Sequence, residues 1–177
     1  MILTVDDIKQ YTDCDKLDDK VIVARLKAIE QVIRTYTHNN FQNRNMRFIA
    51  EASSGYLLGA SPYIKAGDTV QVSQSGVNDG LYTVISATGS ITALDAELFP
   101  VKKNVVTRII YPDDVVMCAV DLFKWQKDYG DKIGIKSESE TLSRHSESVT
   151  YEDSTSLFMG YPVGILNGLA LHCKARF

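Results

Sequence analysis

The chain has almost none of the residues that usually announce chemistry. Of its 177 residues only 3 are cysteine, and Cys14, Cys118 and Cys173 stand far apart. No two form a C-x-x-C pair, so the spacing offers neither a disulfide framework nor a zinc site and fits reduced thiols. Excess positive charge is missing too: 19 Lys and Arg face 22 Asp and Glu, for a net charge of −3. That balance, with no basic tail or stripe, argues against affinity for nucleic acid through phosphate neutralisation. Long apolar runs are absent. The longest, Val115 to Val120, falls far short of the roughly 18 residues a membrane span needs. The opening MILTVDDIKQ has neither a basic n-region nor an apolar h-region, so no secretory signal is expected. What remains is 45% hydrophobic and 23% charged, an ordinary soluble composition with enough apolar residues for a core.

The same scarcity covers the sites themselves. His38, His145 and His172 have no spacing that would set two on one helix face, and no metal site is expected. The pairs Asp6–Asp7, Asp18–Asp19 and Asp113–Asp114 resemble catalytic carboxylates. Each, however, stands at a predicted helix start, where a carboxylate stabilises the positive end of the dipole. Ser146 beside His145 is adjacency, not triad geometry. The glycines form no G-x-G-x-x-G and no Walker loop. Asn78–Asp79–Gly80 lacks the acidic ladder of a calcium loop and reads as a turn. We expect no catalytic residue, no metal and no cofactor.

Periodicity then gives the organisation. Thr4, with Asp7 three residues later, opens a first helix. Asp18 caps a second, in which Ile22, Leu26, Ile29, Ile33 and Tyr36 form one apolar stripe. From Arg47 to Ile110 the pattern changes to short, alternating, β-branched runs separated by turn clusters, with Gly89–Ser90 as a hairpin turn. Five or six such strands predict a small antiparallel barrel or sandwich. Pro112 opens a third helix, where Val115, Ala119 and Leu122 share a line and Val116, Val120 and Phe123 lie beside it. Pro162 to Phe177 reads as a last helix that Gly164 and Gly168 weaken. The predicted fold is α+β. Residues 1–44 and 111–131 form a helical domain, and 45–110 an inserted β-barrel or sandwich. Residues 132–160 form an extended arm, and 161–177 a C-terminal helix.

The arm is the informative segment. Residues 132–160 are dense in Ser and Glu, and a structureless connection of that length inside a compact domain is improbable. Such a segment is either disordered or ordered by something outside its own domain. Its sparse anchors are candidate partner-binding residues: Arg144, His145, Val149, Thr150, Tyr151, Phe158, Met159 and Tyr161. Val149–Thr150–Tyr151 is a short β-prone stretch suited to adding a strand to a partner's sheet.

Three segments together resemble a known family. The opening TVDDIKQYTDCDKLDDKVIVARLKAIEQVIRTYTHNNF is similar to the start of the head–tail connector (adaptor) proteins of long-tailed bacteriophages. PDDVVMCAVDLFKWQ is similar to that family's next helix. IGIKSESETLSRHSESVTYED, with MGYP and a final KARF, is similar to the C-terminal part of members from phages of Gram-positive hosts. The β insertion departs from the shortest, all-helical members, and its VNDGLYTV resembles small β modules of other neck and tail components. The resemblance implies a structural, non-catalytic virion protein of the neck, present in the host cytoplasm during assembly. It implies a homo-oligomeric ring, twelve-fold in the virion, between the portal protein and the next neck (stopper, or head-closure) protein. DNA would pass its channel without specific binding, and no membrane is involved. A second reading is a carbohydrate- or surface-binding module of a phage tail, with Tyr56, Tyr63 and Tyr82 in the β segment but no Trp there to stack on sugar.

Overall fold

The structure, a computed structural model, describes residues 1–130, 137–142, 145–150 and 157–175, of which 137–142 and 145–150 are described as backbone. The chain is mixed α+β, with a closed six-stranded antiparallel barrel and four α-helices among the described residues. It divides into two compact units. One comprises residues 1–2 and 39–112, the other residues 3–38 and 113–177.

In the helical unit, α1 (Val5–Tyr11) starts with a full capping box: the Asp7 N–H donates to Thr4 Oγ1 at 3.1 Å, and the Thr4 N–H donates to Asp7 Oδ2 at 2.9 Å. These bonds satisfy amides that the first helical turn leaves open. α2 (Asp19–Thr37) is capped by Asp18, which accepts from the Lys20 N–H at 2.7 Å. Of its apolar stripe, Ile22, Leu26, Ile29 and Ile33 are fully buried, while Tyr36 is half-buried. Each such aliphatic side chain contributes roughly 1.5–3 kcal/mol by leaving water. α2 ends where His38 turns left-handed (φ 49°). α3 (Asp113–Tyr129) begins one residue after Pro112, packs on α2, and buries Val115, Ala119, Val120, Leu122 and Phe123.

Two C-terminal expectations are corrected. Residues 132–160 are expected as an extended arm, disordered or ordered by something outside its own domain. Instead β7 (Ser137–Leu142) and β8 (His145–Thr150) form an antiparallel hairpin in register Leu142↔His145 to Ser137↔Thr150. Strand pairing satisfies main-chain groups whatever the side-chain composition, so a polar sequence does not prevent it. The expected last helix is only one α turn, α4 (Val163–Leu166), running into a 3₁₀ segment, Asn167–His172. Pro162 is its N-cap and not its first helical residue. Gly164 and Gly168 each cost up to about 1 kcal/mol of helix propensity relative to Ala, and the tighter 3₁₀ turn takes over. A two-stranded ladder, β9 (Leu157–Phe158) with β10 (Tyr161–Pro162), precedes it.

In the barrel unit the strands are β1 (Gln42–Ser53), β2 (Tyr56–Leu58), β3 (Thr69–Ser73), β4 (Gly80–Thr88), β5 (Ile91–Leu94) and β6 (Val101–Ile109). Around the barrel they run β1-β2-β5-β4-β3-β6, and β6 closes on β1. β1 starts at Gln42, earlier than the pattern suggested, because its polar first residues pair with the end of β6 before the register shifts between Asn43 and Arg47. Gly89–Ser90 is the β4–β5 turn, with Gly89 at φ +60°. Leu57, Val70, Val72, Val84 and Val106 fill the interior.

The register fixes the two ends. Gln42 opposes Ile109, so residues 39–41 lead in and 110–112 lead out at the same end. Ala52 opposes Val101 at the other, far end, which is built from the turn after β1 and the loops after β3 and β5.

Candidate interaction surfaces

The far end of the barrel carries an exposed surface held by side-chain hydrogen bonds. Two loops meet there. The loop after β3 is shaped by Asp79, which accepts from the Ser75 N–H and hydroxyl, both at 2.8 Å, and from the Gly76 N–H at 3.3 Å. Those bonds, led by the Ser75 amide, hold the Asp79 carboxyl below the usual carboxylate range. Gln74 and Gly76 both take positive φ in this turn (63° and 81°). The loop after β5 is clamped to it by Asn78. The Asn78 Nδ2 donates to the Phe99 carbonyl at 2.9 Å, and the Phe99 N–H donates back to Asn78 Oδ1 at 2.9 Å.

The clamp is anchored inside the barrel. Asn78 Nδ2 also donates to Asn104 Oδ1 at 3.0 Å, and Asn104 Nδ2 donates to the carbonyls of Ala50 (3.1 Å) and Val101 (2.9 Å). Tyr82 adds its hydroxyl to the Asn78 carbonyl at 3.0 Å, and burial pushes the Tyr82 phenol up. Both asparagines are buried. A buried amide is tolerated only when its donors and acceptors are satisfied, and such a network then fixes one arrangement. The loops it holds display Phe99, 66% exposed, and Val77, 62% exposed, while Leu98 packs into the barrel interior.

A groove of about 570 Å³ opens on the barrel wall, lined by Tyr56 from β2, Ile85 from β4, and Leu94, Asp95 and Glu97 at the end of β5. Ile85 is 61% exposed and Tyr56 49%. The register shifts between Val84 and Ser86, so β4 carries an extra residue opposite Leu94 and Ala93. That bulge turns Ile85 outward. A second shift lies on the β1–β6 pair, where Ala50 opposes Asn104 and Ala52 opposes Val101. The additional residue on β6 leaves the consecutive Lys102 and Lys103 both exposed.

The residues singled out in the sequence fall elsewhere. His145, Val149 and Thr150 lie on β8, opposite Leu142, Glu138 and Ser137 respectively. Arg144 and Tyr151 lie outside the described residues. Phe158 is half-buried and meets Tyr36 edge-on, with ring centroids 5.4 Å apart. Tyr161 is buried 6.0 Å from the Trp125 ring, and its hydroxyl donates to Gln126 Oε1 at 3.0 Å. Burial pushes its phenol up. Met159 between them is exposed and left-handed (φ 50°). Phe158 and Tyr161 thus anchor the C-terminal segment to its own unit, and Met159 points away from that contact.

Sequence patterns give Asn78–Asp79–Gly80 as a plain turn and miss Val77, Phe99 and Asn104. The available signal was an Asn in the β-rich run from Val105 back to Val101, an unusual residue for a strand interior. Among the described residues no group of three or more His, Cys, Asp and Glu gathers. The chain matches no known family model and no curated protein.

Proposed function

We propose that this chain is a structural component of a bacteriophage neck, a head–tail connector whose copies form a ring beneath the portal protein. The ring extends the DNA channel and offers the next neck protein a docking surface. In this reading the helices of residues 1–44 and 111–131 form the connector domain, the barrel is a module inserted in it, and the segment 132–160 reaches a neighbour. No catalytic step is assigned to it, and its place is the virion neck after assembly in the host cytoplasm.

The observation that carries the reading is the far end of the barrel. Two buried asparagines fix the loops from which Phe99 and Val77 stand exposed to water. Exposed apolar side chains on a rigid frame are what an assembly interface requires. The sequence resemblance supplies the kind of assembly. Many copies each near −3 also suit a channel through which DNA must slide without sticking.

Portal rings encoded with this chain and immobilised on resin test the reading. The full chain should be retained, and a second neck protein should be retained only when this chain is present. Passage of the chain through the resin unbound would contradict it. A surface-binding module of the tail is the second reading, favoured by the tyrosine- and carboxylate-lined groove. Binding of the chain to host cell walls, with none to portal rings, would select it.

A further inference from the structure

We infer that the barrels of two copies join head to tail, the Phe99–Lys102–Lys103 wall of one barrel seating in the Tyr56–Ile85 groove of the next. The inference deepens the ring reading, and rests on it for closure of the array but not for the contact itself.

The contact is argued from strand order and charge. The groove centres on β5, with β2 and β4 at its sides. In the sequence β1-β2-β5-β4-β3-β6, closed by β6 on β1, β6 is three strands from β5 in either direction. The lysine pair on β6 therefore stands on the wall opposite the groove. Phe99 stands in the loop that leads from the groove into β6, two residues past Glu97, and Asn78 ties its carbonyl to Asn104 of β6.

Each wall lacks what the other has. Lys102 and Lys103 are exposed and have no acidic partner among the described residues; Glu97 is exposed and has no basic one. The groove offers apolar surface from Tyr56 and Ile85 beside the carboxylates of Asp95 and Glu97. The opposite wall offers two ammonium groups, and the loop leading into it an exposed phenyl ring. An aromatic anchor in an apolar recess with opposite charges at its rim is the composition of an interface core and rim. Opposite walls of one barrel cannot meet each other, whereas those of two copies can. A contact between two different patches is heterologous: each copy keeps one free groove and one free knob, so copies add until a ring closes. The two bulges that turn Ile85 and the lysine pair outward lie on these same two walls.

Charge reversal tests this on the full chain by analytical ultracentrifugation. Lys102→Glu with Lys103→Glu reverses the knob, and Glu97→Lys cancels the net charge of the groove edge, where Asp95 remains. All three side chains are exposed, so circular dichroism and melting should stay unchanged. Each variant alone should associate at least about tenfold more weakly than the unaltered chain. A one-to-one mixture of the two should associate again, because the unaltered knob of one variant then meets the unaltered groove of the other. Phe99→Ala should weaken association with charges intact. Failure of the mixture to recover, or a chain that is monomeric at its solubility limit, overturns the inference. Binding to portal rings is read separately. Recovery without portal binding keeps the contact and refutes the connector reading; portal binding without recovery does the reverse.

Discussion

Asn78 and Asn104, brought together from a loop and a strand, share a buried hydrogen bond of 3.0 Å and between them hold the carbonyls of Phe99, Ala50 and Val101. Asn104→Ala removes both donors to Ala50 and Val101 and the acceptor for Asn78. Each orphaned buried group costs about 1–3 kcal/mol, so a loss of about 2–4 kcal/mol is expected. Urea denaturation followed by fluorescence measures it. A change inside about 0.5 kcal/mol would mean that the network does not organise this end of the barrel.

Tyr161 was first read as a docking anchor, and its position changes what its substitution tests. Tyr161→Phe deletes only the bond to Gln126 and should cost about 0.5–1.5 kcal/mol. Tyr161→Ala also empties the space beside Trp125 and should cost about 3–5 kcal/mol, as large aromatic truncations do. Thermal melts of both distinguish a packing role from a surface one: equal, negligible effects would show that Tyr161 is not part of the core. Met159→Ala, which removes an exposed side chain, is the cleaner probe of partner binding.

Thiol reactivity should be graded by position. Burial pushes the Cys118 thiol up to about 11, and burial also raises Cys14, whereas Cys173 is exposed. The thiolate is the reactive species. Alkylation of the native chain at mildly alkaline pH should therefore modify Cys173 first, with Cys118 and Cys14 reacting only on unfolding. Peptide mass spectrometry over time reads the order, and Cys118 labelling as fast as Cys173 would contradict the burial of α3.

The 3₁₀ segment is fastened to α3 by His172, whose Nε2 lies 2.6 Å from Asp114 Oδ2. That hydrogen bond, the leading cause, holds the Asp114 carboxyl below its ordinary value of 3.8. A depressed carboxyl contributes stability above the unfolded value, and the contribution is lost as pH falls through the folded one. Asp114→Asn should thus lower the melting temperature at neutral pH, and the gap should close on the acid side of 3.8. A gap independent of pH would mean that the Asp114 carboxyl is not held below its ordinary value.

Much of this was legible before any coordinates, and the parts that were not share a physical reason. The α2 stripe, the Thr4 and Asp18 caps and the Gly89 turn are written in residues a few positions apart, where local geometry decides. Barrel closure of β6 on β1 joins residues some 60 positions apart, as Arg47 Nε donating to Thr107 Oγ1 shows. The bulges at Ile85 and Lys102–Lys103 arise from register, which alternation alone does not specify. Asn78 looked like a turn residue because its side-chain partners lie on other strands. At the C-terminus the apolar periodicity was real, but two glycines shortened the α-helix to one turn.

Electron microscopy of portal rings incubated with the purified chain goes most directly to the proposed function. The averages should show one added ring of identical subunits coaxial with the portal, with barrels touching their neighbours around the circumference. Bare portal rings beside dispersed single subunits would contradict it.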